Sequence, residues 1–336
     1  MRLHQRVTNG WIIACLCAYG FTPEPALGKF FFSRAQAPIV NLQQVATDYR
    51  FQSLTVKDKT IRLASRFDTL LFELDTRKAE YNGVQLWLNG PVSKSWGSYQ
   101  ILKADADKTL APLLAPNRFL ASEEYRVVVL DPGQGGEDRG ANDLRRGMEE
   151  KKMTLDIALK VRKILTQHNI DVRLTRSGDI SLKLEERCRL AGRWGADVCV
   201  SIHINAAQTA VPYGIETHIL PPANSPITTS NTLGNRDRQT FPANAHDGAN
   251  MILGYMLQRS MLKYSKAEDR GVRRSRFFVI RTMACPTALV ECGFLSNRRE
   301  SENLRGSAYQ EKVARGIAEG ILYYLNAVKR AHKLKP

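Results

Sequence analysis

The 336-residue chain has only six histidines and six cysteines. Neither occurs between Pro38 and Asn117, so that stretch offers no imidazole or thiolate to a metal. Cys15 and Cys17 lie near the start, while Cys188, Cys199, Cys285 and Cys292 lack any CxxC spacing, which argues against a thiolate zinc site. Cys199 and Cys292 sit in apolar, strand-like runs and read as buried free thiols. No apolar run reaches the roughly 20 residues that a bilayer requires, so no stable membrane span is expected. Acidic residues are scarce, 33 against 49 Lys and Arg, giving a net charge of +16. That balance favours an anionic partner such as nucleic acid, a membrane surface or an acidic wall polymer. Zinc-finger, RNA-binding and basic-zipper signatures are all missing, so nucleic acid rests on charge alone and is not expected. No internal repeat is found.

What is present reads as a targeting segment and two domains, in line with the length. Arg2, His4 and Arg6 precede the apolar run "WIIACLCAYGF", residues 11–21. It is too short to span and suits a secretory signal, with export to the periplasm or cell envelope expected. Residues 1–37 are assigned to this segment. Residues 38–117 carry short alternating runs and an Asn82-Gly83 turn, and read as a small, mainly β domain. Residues 118–336 alternate strand and helix patterns, which predicts an α/β unit. The expected fold is a central, mostly parallel twisted sheet flanked by helices, preceded by the small β domain. Strands are predicted at 126–130, 170–175, 196–203, 213–220, 277–280 and 287–291. Helices are predicted from 149, over 184–193, 248–264 and 308–328. The polar stretch 221–247 has four prolines and reads as a long, functional loop.

The stretch "VVVLDPGQGGEDRGA", residues 127–141, ends a β-branched run in a glycine-rich loop. It is not a P-loop: Gly135 and Gly140 have the spacing, but Ala141 and Asn142 stand where Lys and a hydroxyl are needed. It is not a dinucleotide loop either, because the third glycine would fall on Asp138. Three polar residues stand out elsewhere. His203 ends one apolar strand, Glu291 ends another, and Glu150 opens the helix after the glycine loop. His203 could be a hydrogen-bonded core residue, and Glu150 could simply favour the positive end of a helix dipole. Glu291 is harder to assign to structure alone, since an unpaired buried carboxylate costs several kcal/mol or takes up a proton. In "GVRRSRFFVIR", Arg270, Arg273, Arg274, Arg276 and Arg281 lie on a segment without acids. A solvated basic face is the leading reading; carboxylate pairing is the other.

Taken together, "VVVLDPGQGG", "ADVCVSIHINA", "GIET" and "ALVECGFLSN", in this order, resemble the catalytic domain of zinc-dependent N-acetylmuramoyl-L-alanine amidases, which cut peptidoglycan. The resemblance covers roughly residues 125–328. It implies hydrolysis of the amide between the lactyl group of N-acetylmuramic acid and L-alanine. It implies one Zn²⁺ held by Glu150, His203 and the residue at 134, with Glu291 as the catalytic proton carrier. The family has His where this chain has Gln134. A carboxamide oxygen is a weaker donor than imidazole, so the site is expected to bind zinc less tightly. His246, in the long loop, is the candidate substitute. The alternative function is a catalytically impaired peptidoglycan-binding or regulatory protein; an activator protein is a possible further partner. The stretch "YNGVQLWLNGPV" resembles the small domain named after the N-terminal region of copper amine oxidases, with no copper implied.

Overall fold

The computed structural model describes residues 37–120, 127–143 and 147–334. The export segment read at residues 1–37 lies outside these except for its last residue, and the strand start expected at Arg126 lies outside them too. The N-terminal part opens with β1 (Ile39–Asn41) and α1 (Leu42–Asp48), whose Asn41 side chain accepts the Gln43 N–H at 2.8 Å. An antiparallel meander follows: β2 (Ser53–Lys57), β3 (Thr60–Ala64), β4 (Thr69–Glu73), β5 (Lys78–Tyr81) and β6 (Val84–Trp87). Ile61, Leu63, Leu70, Phe72, Tyr81, Val84 and Leu86 are buried, the alternation that a two-residue period imposes on a one-sided sheet. Asn82 and Gly83 join β5 to β6 with φ of 48° and 79°. This is the twist-matched turn that Asn-Gly favours. β7 (Ser93–Ser95) pairs with β8 (Ser98–Leu102), and β8 with β1, in a separate three-stranded sheet. The short helices α2 (Lys103–Asp105) and α3 (Ala111–Leu114) come next.

The second part begins at β9 (Val127–Pro132), followed by the small hairpin of β10 (Asn142–Asp143) and β11 (Met148–Glu149). Then come α4 (Glu150–Thr166), β12 (Asp171–Leu174), α5 (Leu184–Arg193), β13 (Val198–Asn205) and β14 (Ile215–Ile219). The chain ends with α6 (Asp247–Ser265), β15 (Asp269–Arg274), α7 (Phe278–Thr282), β16 (Thr287–Phe294), α8 (Arg298–Arg305) and α9 (Ser307–Lys333).

Eleven strands form one sheet in the order β12-β9-β13-β16-β14-β15-β6-β5-β4-β3-β2. The sheet is mixed. β12, β9, β13 and β16 run parallel, β14 runs antiparallel to β16, and every pair within the meander is antiparallel. The connections explain this: tight turns can join only antiparallel neighbours, whereas parallel neighbours need a crossover. The two parts meet in main-chain pairing, β15 beside β6 in parallel, with Val272 opposite Leu86.

Buried apolar faces of α4 and α6 cover the sheet, α4 through Met153, Ile157, Val161 and Leu165. A Cβ on Gly316 or Gly320 of α9 would fall 2.6 Å from the Met261 Cα and 2.8 Å from the Leu257 Cα of α6. Glycine there lets the two helices touch backbone to backbone. One expectation is corrected. Residues 277–280 do not form a strand: Phe278–Thr282 is helical, with Val279 and Ile280 buried. A short apolar run has no periodicity that separates strand from buried helix. The helix expected over 308–328 lies within α9. The thiols of Cys199 and Cys292 are free and buried, as expected.

Candidate active site

The site lies at the carboxyl ends of the central strands, where sheet topology collects loops. Two buried arginines and a threonine hold the glycine loop by its carbonyls. Arg187 donates to the carbonyls of Pro132 and Gln134, both at 2.7 Å. Arg176 donates to those of Pro132 and Gly133 at 3.0 and 2.7 Å, and Thr154 Oγ1 also donates to Gly133 at 2.9 Å. Asp131 anchors the loop from below, accepting from Thr175, Arg187 and Ser201 at 2.6–2.8 Å. Burial would raise its pKa, but the Arg187 charge and these hydrogen bonds hold it below the usual range. The loop's shape also requires Gly133: a Cβ there would lie 2.3 Å from the His203 Cε1. The imidazole therefore packs flat across the loop.

Structure brings Gln134, Glu150 and His203 together. Glu150 begins α4 and is buried. Its Oε1 meets the His203 Nδ1 at 2.9 Å and accepts the Ile204 N–H at 3.2 Å. Its Oε2 accepts the Ala141 N–H at 2.8 Å and lies 3.4 Å from the Gln134 amide. Gln134 has φ of 61°, which turns its side chain toward this carboxylate. With the amide nitrogen turned to Asp138, it donates to both carboxylate oxygens at 3.3 and 2.5 Å, and the amide oxygen then faces Glu150. The amide orientation follows from such hydrogen bonds. His246 is not part of the group. Its Nε2 meets the Ala284 carbonyl at 3.1 Å, at the far end of β16 from Glu291. Among the described residues no group of three His, Cys, Asp or Glu could hold a metal.

Glu291 sits one strand over. It is the register partner of His203 on β13 and of Glu216 on β14. It is 3 % exposed, and its Oε2 has no hydrogen-bond partner. Burial pushes its pKa well above the usual carboxylate range, and the neighbouring charges of Glu150 and Glu216 add to the shift.

On the other side of Glu291 lies a cavity of about 300 Å³, lined by Glu216, His218, Arg270, Arg273, Arg276 and Glu291 among others. Glu216 and His218 were not singled out from the sequence. They stand two apart in the otherwise apolar "GIETHIL", on one face of β14, and that spacing was the available signal. Glu216 accepts from Asn205 at 3.0 Å and from Arg270 at 2.8 Å, and meets the His218 Nε2 at 3.0 Å. Burial would raise its pKa, but Arg273, His218 and Arg270 pull it far below the ordinary value. The arginine segment is not a solvated face. Arg273 and Arg276 line the cavity, and Arg274 is 2 % exposed on the opposite face, where it donates to Thr109 at 2.8 Å.

An imidazole and a carboxylate converge at a sheet end, beside a buried, protonatable acid and a basic cleft, an arrangement suited to a hydrolase. Comparison with known proteins gives the particular kind. Residues 128–323 match the N-acetylmuramoyl-L-alanine amidase family, and the chain belongs to that family. It is similar to the amidase CwlM of Bacillus licheniformis, 34% identical over 209 residues, covering 62% of this chain and 72% of the relative. It also resembles the catalytic domain of the amidase CwlV from Bacillus (Paenibacillus) polymyxa, at 33% identity and a TM-score of 0.51, covering 60% of this chain and 99% of that one. The CwlD amidase of Clostridioides difficile, solved with the GerS lipoprotein, is 28% identical at a TM-score of 0.50, covering 60% and 98%. The protein is thus an N-acetylmuramoyl-L-alanine amidase, and the reading as a wall-binding protein without catalysis is not favoured.

Proposed function

We propose that the protein cleaves the lactyl–L-alanine amide of peptidoglycan with one divalent ion, zinc, held by His203, Glu150 and Gln134. The donor set supports this. An imidazole nitrogen, a carboxylate and an amide converge there, with Glu150 Oε1 2.9 Å from the His203 Nδ1 and Oε2 3.4 Å from the Gln134 amide. When bound, the ion would supply Lewis-acid polarisation of the amide carbonyl and a more acidic water. The loop clamp of Arg176 and Arg187 fixes Gln134, and the Ala141 and Ile204 N–H groups fix the Glu150 carboxylate.

Glu291 is the proton carrier. The observation that carries this is its buried Oε2 without a partner, on the strand between His203 and the cavity. It would take a proton from the attacking water and hand it to the departing L-alanine nitrogen. Asn205 and Glu216 line the cleft on the leaving-group side. Metal analysis of purified protein, beside release of stem peptide from purified peptidoglycan, tests the reading. Stoichiometric zinc with turnover is expected; turnover that survives complete chelation rejects the metal.

The acidic wall polymer suits a chain of net charge +16. Among the described residues no helix is long and apolar enough to cross a membrane. Export to the periplasm or cell envelope belongs to this proposal, supported by the charged start and the apolar residues 11–21. N-terminal sequencing of envelope protein tests it; an intact Met1 on cytoplasmic protein rejects it. A regulatory protein partner is also proposed, supported by the CwlD–GerS complex.

A further inference from the structure

The cavity beside Glu291 is built for an anion. Arg236, Arg270, Arg273 and Arg276 line it, against the carboxylates of Glu216, Asp237 and Glu291. The positive excess therefore holds even with every acid ionised. Two of the four guanidinium groups are already matched: Arg270 by Glu216 at 2.8 Å and Arg276 by Asp237 at 2.5 Å. Arg273 is not. Its Nε lies 3.6 Å from Glu216, its Nη1 reaches the Arg270 carbonyl only at 3.5 Å, and its Nη2 has no partner among the described residues. Arg273 is nonetheless held in place. Its guanidinium stacks 4.9 Å above the Trp87 ring, which belongs to β6 of the N-terminal meander.

The meander fixes this wall of the cavity at several points. Trp87 Nε1 and Gln85 Nε2 donate to the Arg270 carbonyl at 3.1 and 3.2 Å. The Gln85 N–H donates to Asp269 at 2.8 Å. Farther along, Arg77 donates to the carbonyls of Ile227 and Ser230 at 3.0 and 2.7 Å, tying down the long loop that closes the cavity. An N-terminal unit that served only as an appended module would have no reason to brace cleft arginines.

We propose that Arg273, seated on Trp87 and flanked by Arg236 and Arg276, forms a carboxylate-binding subsite for the stem peptide. The N-terminal meander is then a working wall of the substrate cleft. A planar guanidinium with unused N–H groups offers the paired donors that a carboxylate takes. Arg273 lies on β15, two strands from Glu291 on β16. Arg273 stands opposite His218 and His218 opposite Leu289, so at about 4.8 Å per strand and about 3.3 Å per residue the backbones of Arg273 and Glu291 are roughly 12 Å apart. An extended peptide covers that in about three residues. The ligand is therefore a free carboxylate on the second or third residue after the cleaved bond.

This inference rests on the amidase reading, and its test can fail separately. Binding of L-Ala–γ-D-Glu–L-Lys is measured by calorimetry, beside versions carrying a carboxamide at the second residue or at the third. Binding needs no turnover. The wild type is expected to prefer one free carboxylate about tenfold or more, the usual effect of a charge-assisted pair. Whichever carboxamide loses affinity identifies the residue bound. In Arg273→Gln that preference falls to near one, and KM for peptidoglycan fragments rises more than kcat falls. Arg273→Lys, which keeps charge without the fork, gives an intermediate ratio, and Trp87→Ala lowers it with β15 intact. Should Arg273→Gln fail to fold, Arg273→Lys and Trp87→Phe still decide the matter, with a lowered ratio expected in the first and a retained one in the second. Equal affinity of the wild type for all three peptides overturns the subsite, as does an unchanged ratio in Arg273→Lys. Loss of turnover with the binding preference intact overturns the amidase reading instead.

Discussion

The two flanks of Glu291 place the same side chain in opposite electrostatic settings. On one side Glu150 is buried against His203, two backbone N–H groups and the neutral amide of Gln134. On the other, Glu216 is equally buried but matched by Arg270, with Arg273 and His218 close by. Glu291 between them has no cation and an empty-handed Oε2. Partners, not burial, therefore decide which carboxylate keeps its charge. Glu216 is fixed as an anion and structures the cleft. Glu291 is the one left able to exchange a proton. On the Glu150 flank no arginine is paired directly with the carboxylate, and that is where an added cation has a place to act.

The sharpest way to break this comparison is Glu291→Gln. The amide keeps shape and removes the exchangeable proton, so stem-peptide release should fall about 10²–10⁴-fold. Zinc content should stay, and melting temperature at neutral pH should not fall, since an uncompensated buried acid is replaced by a neutral group. A variant that unfolds instead would make Glu291 a structural member of a polar core.

Next comes Glu216→Ala, which strands Arg270, Arg273 and His218 around a cavity. Breaking a buried ion pair typically costs about 3–5 kcal/mol, and the lower end applies here because Arg270 can turn toward the cavity. The pH dependence has a definite sign. The folded-state pKa of Glu216 is depressed, so its contribution is present above the unfolded value near 4.3 and is lost as pH falls through the folded one. Glu291 has the reverse sign: its raised pKa gives a contribution present below the unfolded value and lost as pH rises through the folded one. Urea titrations from acid to neutral pH should show Glu216→Ala flattening the acid slope and Glu291→Gln flattening the opposing one. An unaltered acid slope in Glu216→Ala would mean that the arginines do not hold that charge.

Much of the site was legible because burying a polar group is costly. His203 and Glu291 end apolar strands, and that conflict marked them before any geometry was known. Glu216 and His218 carried the same mark, weakened because both lie inside a strand whose ends gave no cue. The arginines were misread because their partners are remote. Arg270 meets a carboxylate 54 residues away, and Arg273 stacks on an aromatic ring of another structural unit. No local pattern encodes either contact. The meander was legible from alternation and the Asn-Gly turn. Its union with the larger sheet was not, since one parallel bridge between β15 and β6 leaves no periodic trace. Residues 277–280 failed for the opposite reason: four apolar residues in a row satisfy strand and buried helix alike.

Gln134→His tests the weaker donor on the Glu150 flank. Imidazole is a better zinc ligand than a carboxamide, so chelator competition should show tighter binding, by about 10–100-fold if the ring adopts the amide's place. The positive φ of 61° is no obstacle, because His is among the non-glycine residues that enter that backbone region more readily. Equal affinities would show that residue 134 does not reach the ion.

The smallest effect is expected from His246→Ala, and it sharpens the same point. If Gln134 were replaced as third donor by another imidazole, His246 would be the residue to supply it from the long loop. Its ring instead meets the carbonyl of Ala284, just before β16 begins. Glu291 lies at the other end of that strand, and Thr287 to Glu291 alone spans about 13 Å at roughly 3.3 Å per residue. A side chain that spans only a few ångströms does not bridge that gap while its loop stays fixed through Asn244 and Pro221. Chelator competition should therefore give the same zinc affinity for His246→Ala and wild type within about twofold, the scatter expected at a site without direct contact. The stability change should stay within about 1 kcal/mol, the worth of one partly exposed hydrogen bond. A tenfold loss of affinity would place His246 at the ion and leave Gln134 as a hydrogen-bonding neighbour of Glu150.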